Sequence, residues 1–130
     1  MNKISISEKF ALVKNPYDPH IVGELNGQHV KLAKFKGAFP WHHHEAEDEM
    51  FLVVKGRFRM DFREKSDDSN EAAEEKEIWV ETGEFVVVPR GVEHRPVAEE
   101  EAEVILFEPD TTLNTGNVRN EFTVPQPKRL

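Results

Sequence analysis

The sequence predicts an all-β domain, a sandwich or barrel of short strands. Three observations carry this. Apolar and polar residues alternate at period two, most clearly where Phe58, Met60 and Phe62 interleave with Arg57, Arg59, Asp61 and Arg63. Turn residues punctuate the chain at Gly37, Pro40, Gly83, Pro89, Gly91 and Pro109. Asn26-Gly27, between two strand-like runs, is the strongest short hairpin signal because both residues tolerate positive φ.

Taken in order, residues 21–25 and 28–35 form the first hairpin. Residues 49–54 and 57–63 form a second around Lys55-Gly56. The run 50–54 is continuously apolar, as expected of a strand covered on both sides. Residues 78–80, 84–88 and 104–108 complete the set. Residues 71–77 have helix-forming composition but no apolar stripe, so no packed helix is expected there. The tail after Pro109 reads as irregular, with 112–117 turn-like and 125–130 loose.

At 130 residues the chain has the length of one domain, able to bury a core without staples. It contains no cysteine, which removes disulfides, thiolate metal sites and a cysteine nucleophile. Residues 64–77 hold seven acids and two lysines, a net of −5 out of −8 for the whole chain. Without aromatic or large aliphatic residues, this acidic insertion reads as a solvated hairpin tip. The remaining charge is ordinary for a soluble domain and argues against nucleic-acid binding, which needs clustered Lys and Arg. No apolar run could span a bilayer, and the opening MNKISISEKF has no signal-like apolar region. A soluble, cytoplasmic protein with neither membrane nor nucleic-acid partners is the expectation.

Four of the six histidines lie in two places, His42, His43 and His44 before one strand and His94 after another. In an extended segment His42 and His44 share a face and His43 takes the other. Glu49, five residues on, can be turned back over that face, and His94 arrives from a distant segment. Three imidazoles and a carboxylate make a mixed N/O site for a divalent first-row metal, with two positions open in an octahedral arrangement. A histidine pair alone is as readily a pair of ordinary polar side chains.

The surrounding residues decide between these readings. His42-x-His44-x4-Glu49-x6-Gly56 and Gly83-x5-Pro89-x-Gly91-x2-His94 stand in order with correct internal spacing. The chain thereby resembles the cupin superfamily, in particular its small single-domain members, over about residues 30–110. The resemblance implies one domain folded as a double-stranded β-helix, the jelly-roll β-barrel, followed by the tail 110–130. It also implies that His42, His44, Glu49 and His94 ligate one divalent metal, Fe, Mn, Ni or Zn. Two positions depart from the pattern. Gly37 has only four residues between it and His42, and Ala98 stands where an Asn is usual.

Strand parity from Glu49 places Phe51 and Val53 on its face. Phe85 and Val87, with Phe107, are expected to join them in an apolar pocket suited to a small, partly hydrophobic molecule. Arg90 and Arg95 read as rim charges, His43 as a surface residue and Trp41 as packing between layers. His20 and His29 read as ordinary polar residues. Cupins include metal-dependent oxygenases, isomerases and decarboxylases, so the resemblance implies an enzyme acting on a small organic molecule. The alternative is a non-catalytic small-molecule-binding module, or a structural barrel with a vestigial site. No general acid or base is identifiable beyond the ligands, and the apolar pocket disfavours a phosphosugar. The resemblance further implies a homodimer, with residues 10–13 as a contributing strand.

Overall fold

Asn26 and Gly27 take positive φ of 50° and 76°. They close the hairpin between β1 (His20–Leu25) and β2 (Gln28–Ala38) in the computed structural model, which describes residues 1–64 and 73–130. After a short helix, α1 (Ile6–Phe10), the order continues with β3 (Glu49–Lys55), β4 (Arg57–Glu64), β5 (Glu74–Glu81), β6 (Phe85–Val88) and β7 (Glu93–Pro109). Every pairing between these strands is antiparallel.

The 17-residue β7 closes the barrel. Along one side it pairs with β2, from Gln28↔Pro109 to Ala38↔Val97. Along the other its C-terminal half pairs with β3, from Met50↔Phe107 to Lys55↔Glu103, and its start pairs with β4, from Arg59↔Val97 to Arg63↔Glu93. One strand thus joins β2, β3 and β4 in a single seven-stranded sheet, extended by β6 beside β3 and β5 beside β4. This is the all-β jelly roll. Phe35, Phe51, Val53, Phe58, Met60 and Val104 fill its interior.

The two departures from the histidine motifs meet in this framework. Gly37 lies opposite Ala98, and the β2–β7 register shifts between Phe35 and Gly37. The shortened spacing before His42 is absorbed by that irregularity, and the small buried Ala98 fits beneath it.

Several expectations need correction. Phe85 and Val87 do not line the interior; they are 62% and 50% exposed. Glu49 pairs with Val88 and Phe51 with Val86, and directly paired residues share a face, so the even-numbered positions of β6 turn inward. For the same reason Phe107, opposite Met50, yields the interior to Leu106 and Glu108. Residues 10–13 are not a strand. Ser5 caps α1 by accepting from the Glu8 backbone N–H, and Phe10 and Val13 bury against Val22 and Leu32 of the same chain.

Residues 74–77 of the acidic stretch belong to β5, paired with residues 61–64 of β4. The proposed hairpin tip at 65–72 lies outside the described residues. The terminal residues are not loose. Ile21 donates to the Lys128 carbonyl at 2.9 Å and Leu130 to the Ile21 carbonyl at 2.9 Å, lengthening the edge at β1. Among the described residues no helix is long and apolar enough to cross a membrane.

Candidate metal centre

Backbone pairing brings the two histidine segments together. His42 and His94 exchange N–H···O bonds of 3.0 and 2.8 Å, forming an isolated antiparallel bridge. Gly91, in the turn before His94, donates to the His44 carbonyl at 2.7 Å. Glu49 opens β3 and faces the same point. The result is one buried group, His42, His44, Glu49 and His94, whose potential ligand atoms all lie within 4.8 Å of one another.

The tautomers follow from the hydrogen bonds. His42 Nδ1 lies 2.9 Å from the Pro40 carbonyl and His94 Nδ1 lies 2.8 Å from the Val92 carbonyl. A carbonyl can only accept, so both Nδ1 atoms carry hydrogen, which leaves Nε2 as the nitrogen of each ring able to ligate. His44 Nε2, His94 Nε2 and Glu49 Oε1 are buried without a hydrogen-bond partner. The 2.7 Å approach of His44 Nε2 to Glu49 Oε1 and the 3.3 Å approach of His94 Nε2 are close but not aligned as hydrogen bonds. Ligands about 2.1 Å from one ion lie roughly 3–4.2 Å apart, and these donors, 2.7 Å apart at their closest and all within 4.8 Å, need only small shifts to hold a single divalent cation.

The electrostatics suit a cation. Burial pushes His42 down to about 3, with the neighbouring His94 adding to the effect, so its imidazole is neutral and able to ligate. Burial alone would raise Glu49. The close polar contacts with Glu108, His44 and His94 outweigh it and hold the carboxyl well below the usual range.

Glu108 shows the opposite balance. Burial, then the Glu49 charge and hydrogen bond, push its carboxyl well above the usual range despite Lys31. Lys31 Nζ donates to Glu108 Oε1 at 2.9 Å, and both side chains are 2% exposed. Glu108 Oε2 meets no donor, only Glu49, and two carboxyl groups can hydrogen-bond each other when one keeps its proton. Glu108 and Lys31 were not singled out from sequence. The signal was there: Leu106 and Glu108 share parity within an apolar run, and Lys31 sits between Val30 and Leu32.

A half-open cavity adjoins the site, lined by Tyr17, Phe35, Phe39, Phe51 and Leu106, with His42, Glu49, Glu108 and Asn114 as its polar walls. Of the residues expected in the pocket, Phe51 is there, while Val53 lies deeper in the core. The Tyr17 hydroxyl already donates to the Gly37 carbonyl at 2.6 Å, so it braces the wall. About 40 Å³ is free, room for about three waters.

Outside this centre, His43 turns away and pairs with the exposed Glu45. Trp41 is not packed between layers. It is half-exposed beneath the guanidinium groups of Arg63, 3.9 Å from its ring centre, and Arg95, at 5.0 Å. Arg90 pairs with Asp48 on the surface and Arg95 with Asp61. His20 and His29 lie beside Asp18 and Glu24, away from the centre.

Residues 28–109 match the Cupin domain family. The chain belongs to the cupins. A cupin-2 domain containing protein from Shewanella frigidimarina is 35% identical, with a TM-score of 0.71 over 82% of this chain and 93% of that one. The Bacillus subtilis protein YdbB is 30% identical over 83 residues, 64% of this cupin and 65% of YdbB, so the match spans under two thirds of that relative. A hydroquinone 1,2-dioxygenase from Sphingomonas sp., solved with 4-hydroxybenzoate bound, shares the fold at 20% identity. Its TM-score is 0.67, over 82% of this chain and 72% of that one.

Proposed function

We propose that this cupin is a metal-dependent enzyme acting on a small organic molecule, of oxygenase, isomerase or decarboxylase type. In this reading His42, His44, Glu49 and His94 hold one divalent Fe, Mn, Ni or Zn ion. The observation that carries it is the convergence of four buried donors, three with orphaned atoms, beside an apolar cavity. A bound ion of this kind supplies Lewis acidity or a position for dioxygen. The chain's own residues do the rest. Phe35, Phe39 and Phe51 exclude water from the reacting face, and the Pro40 and Val92 carbonyls keep two imidazoles in the ligating tautomer.

The cavity also selects its ligand. Its acidic walls are the Glu49 and Glu108 carboxyl groups, and the nearby ammonium of Lys31 is already committed to Glu108. A compact neutral molecule, or the neutral head of a larger one, suits this wall better than a phosphorylated sugar.

We further propose a cytoplasmic homodimer. The exposed apolar residues Phe85, Val87, Ile78 and Val54 supply a surface for self-association.

The test is elemental analysis of untagged protein, followed by reconstitution with Fe(II), Mn(II), Ni(II) and Zn(II). The reconstituted forms are screened against diketones, small acids and sugars with oxygen uptake monitored. About one metal per chain and turnover with one of them is the expected result. Tight small-molecule binding without turnover under any metal would make the protein a non-catalytic binding module.

A further inference from the structure

Each of the three consecutive histidines has its backbone held by a different partner. His42 is paired with His94, and the His44 carbonyl accepts from Gly91; both contacts join the two histidine segments. His43 is held from elsewhere. Its N–H donates to Asn117 Oδ1 at 2.8 Å and its carbonyl accepts from the Asn117 N–H at 3.0 Å. Asn117 lies beyond the residues that match the cupin family.

The segment carrying Asn117, a strap over residues 111–124, is built to lie there. Gly116 has φ +55°, and a Cβ on it would stand 2.1 Å from the His43 carbonyl oxygen and 3.2 Å from His42 Cδ2. Only glycine lets the strap approach so closely. Thr115 is fully buried and bonds to Thr123 at 2.7 Å, while Asn114 ties to the Phe122 carbonyl and the Val124 N–H. Phe122 stacks edge-on against Phe39, 5.4 Å between ring centres. The strap is therefore internally braced and anchored on the cavity wall.

We infer that Asn117 is a positioning residue of the metal centre. By pinning both polar groups of the His43 backbone, it fixes the alternation that sends His42 and His44 to the same point. A ligand pair splayed by a rotated His43 peptide holds an ion with fewer donors in place, so the strap sets metal affinity without touching the metal. The inference rests on the proposed ligand set.

The experiment compares Zn(II) affinity, by competition with a chromophoric chelator, in the wild type and in Asn117→Leu, Asn117→Asp and Asn120→Ala. The visible spectrum of each Co(II) form and each metal-free melting temperature are recorded alongside. Asn117→Leu removes the acceptor and should weaken Zn(II) about tenfold or more, within the range for outer-shell contacts, and alter the Co(II) spectrum. Asn117→Asp restores the acceptor and should keep the wild-type spectrum and nearly all the affinity. Among the described residues Asn120 bonds only within the strap, to Phe122 and Thr123, so Asn120→Ala should lower the melting temperature and leave affinity unchanged.

Unchanged affinity in Asn117→Leu, or equal losses in Asn117→Leu and Asn120→Ala, would overturn the inference while leaving the ligand set standing. Wild-type protein that takes up no metal would overturn the ligand set, and the role given to Asn117 with it. His43 N–H protection from hydrogen exchange in metal-free protein tests the hold itself, and fast exchange there would contradict it.

Discussion

Glu49 and Glu108 stand side by side on adjacent strands, both buried, and their carboxyls are shifted in opposite directions. Met50 pairs with Phe107, so the next step of the antiparallel register sets Glu49 beside Glu108. Close polar contacts with Glu108 and the two imidazoles hold Glu49 well below the usual carboxyl range, whereas burial and the Glu49 charge hold Glu108 well above it. Lys31 Nζ donates to Glu108 Oε1, so the pair of carboxyls has a cationic partner beside it. The arrangement meets the requirement that buried charges be compensated and hydrogen-bonded.

This relationship makes the two halves of the Lys31–Glu108 pair unequal. Glu108→Leu leaves a buried ammonium without its acceptor and should destabilise the protein by about 3–5 kcal/mol. Lys31→Met leaves a carboxyl that can stay protonated, and should cost only about 1–3 kcal/mol. Urea unfolding of the metal-free variants measures both. Equal losses would mean that Glu108 is ionised in the folded protein.

The same carboxyl modifies the acid response. His42 is held down to about 3, below its ordinary 6.5. Between these values the unfolded chain binds a proton that the folded one refuses, so stability falls as pH falls from about 6.5 towards 3. The slope is at most about 1.4 kcal/mol per pH unit for this one group. Glu108 acts in the opposite sense: its raised folded value favours the native state at low pH, an advantage lost as pH rises above the ordinary carboxyl range. Glu108→Gln removes that counterweight. Metal-free Glu108→Gln should therefore lose stability faster than wild type between pH 6.5 and 5 in urea melts. Identical slopes would place the Glu108 carboxyl in its ordinary range.

The ligand assignment separates neighbouring histidines. Replacing His44 or His94 with Ala should abolish stoichiometric metal uptake, because each removes one of four converging donors. His43→Ala should retain it, since the His43 ring pairs with Glu45 and its anchoring contacts to Asn117 are made by the backbone. Metal content after dialysis reads the difference, and equal loss in His43→Ala would mean that the ring itself ligates.

Much of the centre was legible because its signals are local. The spacing of His42, His44 and Glu49 sets which faces they take, and Asn26-Gly27 dictates a hairpin whatever surrounds it. What was hidden depends on partners far along the chain. The first half of β7 reads as a polar, proline-interrupted stretch, because Pro96, Ala98 and Ala102 fill its inward positions in place of large apolar residues. The inward face of β6 is set by its pairing with Glu49 and Phe51, and Phe85 and Val87 are apolar enough to suggest the wrong choice. The role of Asn117 arises from a contact 74 residues away in sequence, which no local pattern announces.

That misassigned face leads to a last expectation. β6 lies at the end of the pairing order, and Phe85 and Val87 point outward beside the half-buried Met50 and Leu52 of β3. Proteins usually blunt such an edge with charge or a bulge, yet residues 85–88 carry only apolar side chains. Coverage by a second copy accounts for this sequence, and an isologous pairing would place each Phe85 against its twin's β3–β6 face. Phe85→Lys combined with Val87→Lys should then convert a dimer of about 30 kDa into a monomer of 15.0 kDa in sedimentation, at unchanged metal content. The candidate metal centre lies on the opposite side of these strands, which is why the two readouts should part. A wild type that sediments as a monomer at micromolar concentration would remove the homodimer, and loss of metal in the double variant would show that this face supports the barrel itself.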